Sequence, residues 1–176
     1  WEECDLIEEK ESCDGIDNDG DGAIDEGLDI EFVSVSFADL QNQHPACDPS
    51  VDPFSGPCNA ASHRFCYSRG CGLQTGYGPI AVDVISEKAS LVCLDDTQTD
   101  IMETTYTDLN ALLQWCSQDD PVGANCNASI NRYCHAQGLT TGFGPLEHSG
   151  DIAFIACTPQ AIKLQVHYDE LSALQP

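Results

Sequence analysis

The sequence predicts an α+β fold made of tandem, duplicated, disulfide-rich repeats, each a small antiparallel sheet with one or two short helices, behind an acidic lead segment. Three observations predict it. First, most of the chain is written twice. Cys47 to Cys93 and Cys116 to Cys157 share the order Cys, ten or nine residues, Cys-Asn-Ala, Arg-aromatic-Cys, a glycine turn, Thr-Gly-aromatic-Gly-Pro and an apolar run ending in Cys. Second, the 176 residues hold eleven cysteines and no CxxC pair, which points to disulfides in an oxidising compartment rather than zinc. Third, thirty acidic residues face six basic ones, a formal charge of -24, and fourteen of those acids lie in residues 1–31. The expected regions are 1–29, an acidic lead segment; 30–98, the first repeat; and 99–176, the second repeat with a C-terminal capping strand and helix.

Each repeat opens with a strand. Val33, Val35 and Phe37 alternate with Ser34 and Ser36, a period of two. The second copy opens with Ile101 to Tyr106. Both strands run into a helix phrase, Phe37-Ala38-Asp39-Leu40 and Tyr106-Thr107-Asp108-Leu109. Asp108 reads as the cap of a helix carrying Leu109, Leu112, Leu113 and Cys116. Pro45 predicts a shorter helix in the first copy. Second helices are expected to start at Asn59 and Asn127, favoured N-caps, and to stop at Gly70 and Gly138.

The phrases Thr75-Gly76-Tyr77-Gly78-Pro79 and Thr141-Gly142-Phe143-Gly144-Pro145 read as loops. Strands follow over 80–85, 89–94 and 152–157. Residues 166–174 echo 104–112, so either this element caps the last unit or the chain continues a longer array.

The shared cysteines predict the same connectivity in both copies. Cys47–Cys58 and Cys116–Cys126 would close the loop before the second helix. Cys66–Cys93 and Cys134–Cys157 would tie that helix to the strand beneath. Four cysteines allow three pairings, so other choices stay open. Of the remaining three, Cys4 and Cys13 are close in sequence and are paired here. Cys71 is then the odd cysteine, in a two-residue insertion, Cys71-Gly72, absent from the second copy. It would be a free thiol or a bond to another chain, suiting a head-to-tail fibre. Alternatively, it bonds Cys4 or Cys13 and docks the lead segment onto the first repeat.

The strongest site motif is Asp17-Asn18-Asp19-Gly20-Asp21-Gly22-Ala23-Ile24-Asp25. Carboxylates at alternate positions converge when a loop coils around a cation, and a glycine makes the sharp turn. Asp17, Asp19, Asp21, the Ala23 carbonyl and Asp25 are the candidate metal ligands. Hard oxygen donors select calcium. Leu28 stands where a full EF-hand loop has a bidentate Glu, and Glu26, Asp29 or Asp14 could substitute. Cys13 through Gly27 resembles the short MopE-type metal-binding motif, which is similar to thrombospondin type 3 calcium repeats. That motif often has a second Cys where this chain has Gly20. The resemblance covers about fifteen residues and implies a secreted or cell-surface setting.

The second candidate set is polar and shared: Arg64, Thr75 and Tyr77, matched by Arg132, Thr141 and Phe143. Read functionally, these form two equivalent ligand sites in which Arg and Thr bind sugar hydroxyls or a carboxylate beside an aromatic ring. Read structurally, the arginines satisfy a nearby acid or loop carbonyl.

The charge excludes nucleic acid and anionic membrane as partners, and no stretch approaches a membrane span. Trp1-Glu2-Glu3-Cys4 reads as a chain whose targeting segment has been removed. No HExxH, GxSxG or phosphate loop occurs. No enzyme is expected. The leading expectation is a secreted or cell-surface calcium-binding structural or adhesive protein, a subunit of an extracellular fibre or surface layer, associating with itself or with other surface proteins and glycans. The alternative is a carbohydrate-binding module with two related sites.

Overall fold

The alternation at the start of each repeat becomes a strand that runs directly into a helix. This is seen in a computed structural model that describes residues 11–28, 30–95 and 97–159. Strand β1 (Ile30–Ser36) buries Val33 and Val35 and leaves Phe32 75% exposed on its other face. Ser36 then caps helix α1 (Phe37–Gln43). Its hydroxyl accepts from the Asp39 amide at 3.1 Å and donates to the Asp39 carboxylate at 2.6 Å.

Helix α2 (Gly56–Arg69), strand β2 (Leu73–Asp83) and strand β3 (Lys88–Asp95) complete the first unit. The second unit follows the same order: β4 (Asp100–Thr105), α3 (Tyr106–Leu112), α4 (Ala124–Ala136), β5 (Thr141–Ser149) and β6 (Ile152–Thr158). Each unit has one antiparallel three-stranded sheet, ordered β1-β3-β2 and β4-β6-β5. Val33 lies opposite Leu91, and Met102 opposite Ile155.

Four expectations need correction. Thr105, not Asp108, caps α3: its hydroxyl accepts from the Asp108 amide at 3.0 Å. The two short helices have equal length, seven residues each, because both end in extended residues, His44 and Leu113, before Pro45 or its counterpart is reached. Asn59 and Asn127 are not caps. Helices α2 and α4 begin after Ser55 and Gly123, and in α2 Pro57 fills the first turn, where its missing amide costs nothing. The Thr-Gly-aromatic-Gly-Pro phrases are not loops but lie inside β2 and β5.

The reason for those strand glycines is close approach. A Cβ on Gly76 would stand 2.2 Å from Cys66 Sγ, and one on Gly142 would stand 2.2 Å from Cys134 Sγ. Each hairpin therefore presses its backbone onto the disulfide that ties it to its helix. Gly78 and Gly144 take φ of 147° and 137°, ahead of cis Pro79 and cis Pro145, where the register of both hairpins shifts.

The connectivity is the same in both units: Cys47–Cys58 with Cys116–Cys126, and Cys66–Cys93 with Cys134–Cys157. The fifth bond is Cys13–Cys71. This corrects the pairing of Cys13 with Cys4 and the reading of Cys71 as the odd cysteine. Arg69 Nη2 donates to the Cys13 carbonyl at 3.0 Å, which brings Cys13 to the end of α2, beside the insertion. Cys4, Asp29 and the strand-and-helix echo at 166–174 lie outside the described residues.

Two of the three buried apolar clusters bring the short helices onto the sheets. Val35, Phe37, Leu40, Ala61, Ala89 and Leu91 pack in the first unit. Tyr106, Leu109, Ile130, Ala153 and Ile155 pack in the second. Helix α2 also has a second neighbour, because β5 of the second unit lies against it.

Candidate metal centre

The acidic segment holds its shape through its own backbone amides. Asp17 accepts from the Gly20 amide at 2.6 Å and the Gly22 amide at 3.0 Å. Asp19 accepts from the Asp21 amide at 3.0 Å, and Asp21 from the Ala23 amide at 2.8 Å. Short side chains at every second residue can each fold over the next turn in this way. Gly20 and Gly22 have φ of 75° and 99°, conformations that a side chain would strain.

Two groups of carboxylates result. Oxygens of Glu11, Asp17 and Asp19 lie within 4.8 Å of one another, as do those of Asp19, Asp21 and Glu26. Asp19 belongs to both. Of the ligands read from sequence, Asp17 and Asp19 fall in the first group and Asp19 and Asp21 in the second; neither group holds all three. Asp25 is placed differently: its carboxylate accepts from the Asp14 and Gly15 amides, both at 2.9 Å, and so closes the loop on its own start. Glu26, named as a substitute at the missing twelfth position, stands beside Asp19 and Asp21.

Glu11 was missed. It is 9% exposed and sits under the loop, accepting from the Asn18, Asp19 and Asp25 amides at 2.7, 2.8 and 3.0 Å. It lies upstream of the spaced aspartates, so the loop pattern carries no signal for it. Leu28, in contrast, is buried with Val33, Cys66, Leu73 and Cys93. An apolar residue at that position anchors the loop to the first unit instead of binding a cation.

The acids of these groups repel one another. Burial pushes the Glu26 carboxyl up, and the charges of Asp21, Glu11 and Asp19 push it the same way against one backbone hydrogen bond. Its Oε2 is buried without a hydrogen-bond partner among the described residues. The donor set fits a hard divalent cation: it is all oxygen, anionic, and ready to give up mutual repulsion. Arg69, a cation at the end of α2, is committed elsewhere. It donates to Glu31 at 2.9 Å as well as to the Cys13 carbonyl. Burial raises the Glu31 carboxyl despite that partner.

The polar set shared by the two repeats has structural partners. Arg64 Nη1 donates to the Gln43 carbonyl at 3.1 Å, and Arg132 Nη1 to the Leu112 carbonyl at 2.7 Å. These carbonyls occupy the same place, the last residue of α1 and of α3, where helix carbonyls lack partners. Thr75, fully buried, shares a 3.0 Å hydrogen bond with His63 Nδ1; Thr141 accepts from Asn131 Nδ2. Burial holds the His63 imidazole below its ordinary range.

The aromatic rings meet each other. Tyr77 and Phe143 pack edge to face with centroids 5.1 Å apart. Around them the units join. Asn59 Nδ2 donates to the Pro145 carbonyl, and Arg64 makes a two-pronged ion pair with Glu147. No family model matches the chain, and no curated protein or solved structure matches it.

Proposed function

We propose that the chain is a secreted structural module of a fibre or surface layer, built from two copies of one disulfide-stapled unit and stiffened at its acidic end by bound calcium. The observation that carries the reading is the paired carboxylate groups around Asp19, with a buried Glu26 oxygen that has no partner among the described residues. Asp19 would hold a cation with Asp21 and Glu26 in one group or with Glu11 and Asp17 in the other, with the Ala23 carbonyl as a further oxygen donor. A calcium ion would replace repulsion within such a group with attraction, and the Cys13–Cys71 bond would pass that stiffness to the first unit.

A structural role also accounts for the repeated motif. Its glycines admit a disulfide, its arginines finish helices, and its threonines bind helix side chains. Carbohydrate binding at two related sites would call for a matching pair of clefts. The pairing of Tyr77 with Phe143 and the carbonyl partners of both arginines favour the structural role.

The test is a calorimetric titration of calcium and, separately, magnesium, with limited proteolysis in calcium and in chelator. Binding heat with calcium is expected, with cleavage in residues 14–27 much faster in chelator. No heat at millimolar calcium, together with equal cleavage rates, would remove calcium from the account.

A further inference from the structure

Where the first unit meets the second, the chain leaves a groove of about 400 Å³, large enough for a small ligand. The ends of α1, the outer side of α2 and the start of β2 form one wall, and β4 and β5 form the other. Neither unit makes this groove alone.

Its surface is of two kinds. Tyr67 and Ile101 supply apolar area and are 67% and 42% exposed, outside both cores. The remaining groups are polar but carry no unmatched charge. Arg64 and Glu147 reach across the junction and neutralise each other. The others both donate and accept: the amides of Gln43 and Gln74, the hydroxyls of Ser68 and Tyr67, and the His63 imidazole. His63 spends Nδ1 on Thr75, which leaves Nε2 available. Burial keeps that ring uncharged at neutral pH. Gln74 is exposed, and Gln43 Nε2 makes only a long 3.4 Å contact with the Ser68 hydroxyl.

We propose that this junction groove binds a neutral saccharide, with one sugar ring against Tyr67 and its hydroxyls on Gln43, Gln74 and His63. A pyranose has a face of C–H groups and a rim of hydroxyls that donate and accept, which matches a ring bordered by amides and an imidazole. Charged ligands fit less well. An anion would find Arg64 already paired and would meet a chain of formal charge -24. A cation would find Glu147 already neutralised.

The site is single. Leu112, Asn131, His135 and Thr140 stand in the second unit where Gln43, His63, Tyr67 and Gln74 stand in the first. It is therefore made by the junction and differs from the repeated set of Arg, Thr and aromatic ring considered above. It goes beyond the structural-subunit reading by giving the module a glycan partner, and it does not depend on calcium.

Titration calorimetry on the full chain tests this, in calcium and in chelator. The probes are oligosaccharides of cellulose, chitin, mannan and xylan, with heparin oligosaccharides as the anionic comparison. Saturable binding of at least one neutral oligosaccharide is expected in both conditions, with none of heparin. Tyr67→Ala should weaken it on the order of tenfold, and Tyr67→Phe should keep most of it. Trp115→Ala removes the 76% exposed ring of the second unit and should leave the affinity unchanged. If Tyr67→Ala fails to fold, Gln74→Arg, which fills the groove from the neighbouring strand, replaces it. No binding of any neutral oligosaccharide at millimolar concentration overturns the proposal. So does tighter binding of heparin, or a folded Tyr67→Ala that binds like the wild type, or a loss of binding on Trp115→Ala. Sugar binding that vanishes in chelator would place the sugar on the acidic loop and overturns it as well. Calcium heat without sugar heat rejects this groove alone, and sugar heat without calcium heat rejects the calcium reading alone.

Discussion

Tyr106 shows what a single atom contributes. Its ring fills the core of the second unit at 4% exposure, but its hydroxyl is buried with no hydrogen-bond partner among the described residues. Burial alone pushes that phenol up to about 12. The corresponding residue in the first unit is Phe37, which fills the same place without the oxygen. An unpaired buried hydroxyl costs on the order of 1 kcal/mol or more. Tyr106→Phe should therefore raise stability by about 1 kcal/mol, read as a higher midpoint in denaturant at an unchanged slope. A lower midpoint would show that the hydroxyl has a partner in solution.

The meeting of α2 with β5 illustrates how elements couple. Arg64's hydrogen bonds hold the Glu147 carboxyl below the ordinary range despite partial burial, helped by the charges of Arg64, His63 and His44. A carboxylate with a depressed folded pKa stabilises the fold above its unfolded pKa, and this contribution disappears as pH falls through the folded value. Both partners are about a third exposed or more, so screening limits the gain to at most about 1 kcal/mol. Glu147→Gln should lower the thermal midpoint at neutral pH, and the gap from wild type should close in acid. A gap that persists in strong acid would point to packing rather than charge. This coupling was not legible in the sequence, since the Arg64 and Arg132 contexts look alike and only their position in the stack differs. The order of strands and helices was legible, because duplication doubles every signal. Asparagine suits a cap, so Asn59 points to one, whereas Pro57 is the more direct sign of the helix start. The strand glycines look like turns because their true neighbour, a disulfide sulfur, is remote in sequence. Asp17, Asp19 and Asp21 were legible through spacing; Glu11 was not, since it enters the site from outside the loop.

At the scale of the whole molecule, the cross-links decide where a pulling force can travel. Tension entering at residue 11 reaches Cys13, crosses to Cys71, runs back five residues to Cys66 and crosses again to Cys93. Nearly all of the first unit is thereby out of the load path. In the second unit the bonds at Cys116–Cys126 and Cys134–Cys157 shunt the load in the same manner. Only the short stretches between bridges, chiefly residues 94–115, can lengthen. Reduction would release more than a hundred residues, each worth roughly 3.3–3.6 Å of extended chain, so the contour should grow by on the order of 300 Å. Single-molecule pulling between residues 11 and 159, with and without reductant, measures that difference. The oxidised chain should lengthen only by what the stretches between bridges hold, on the order of 100 Å, and then stop.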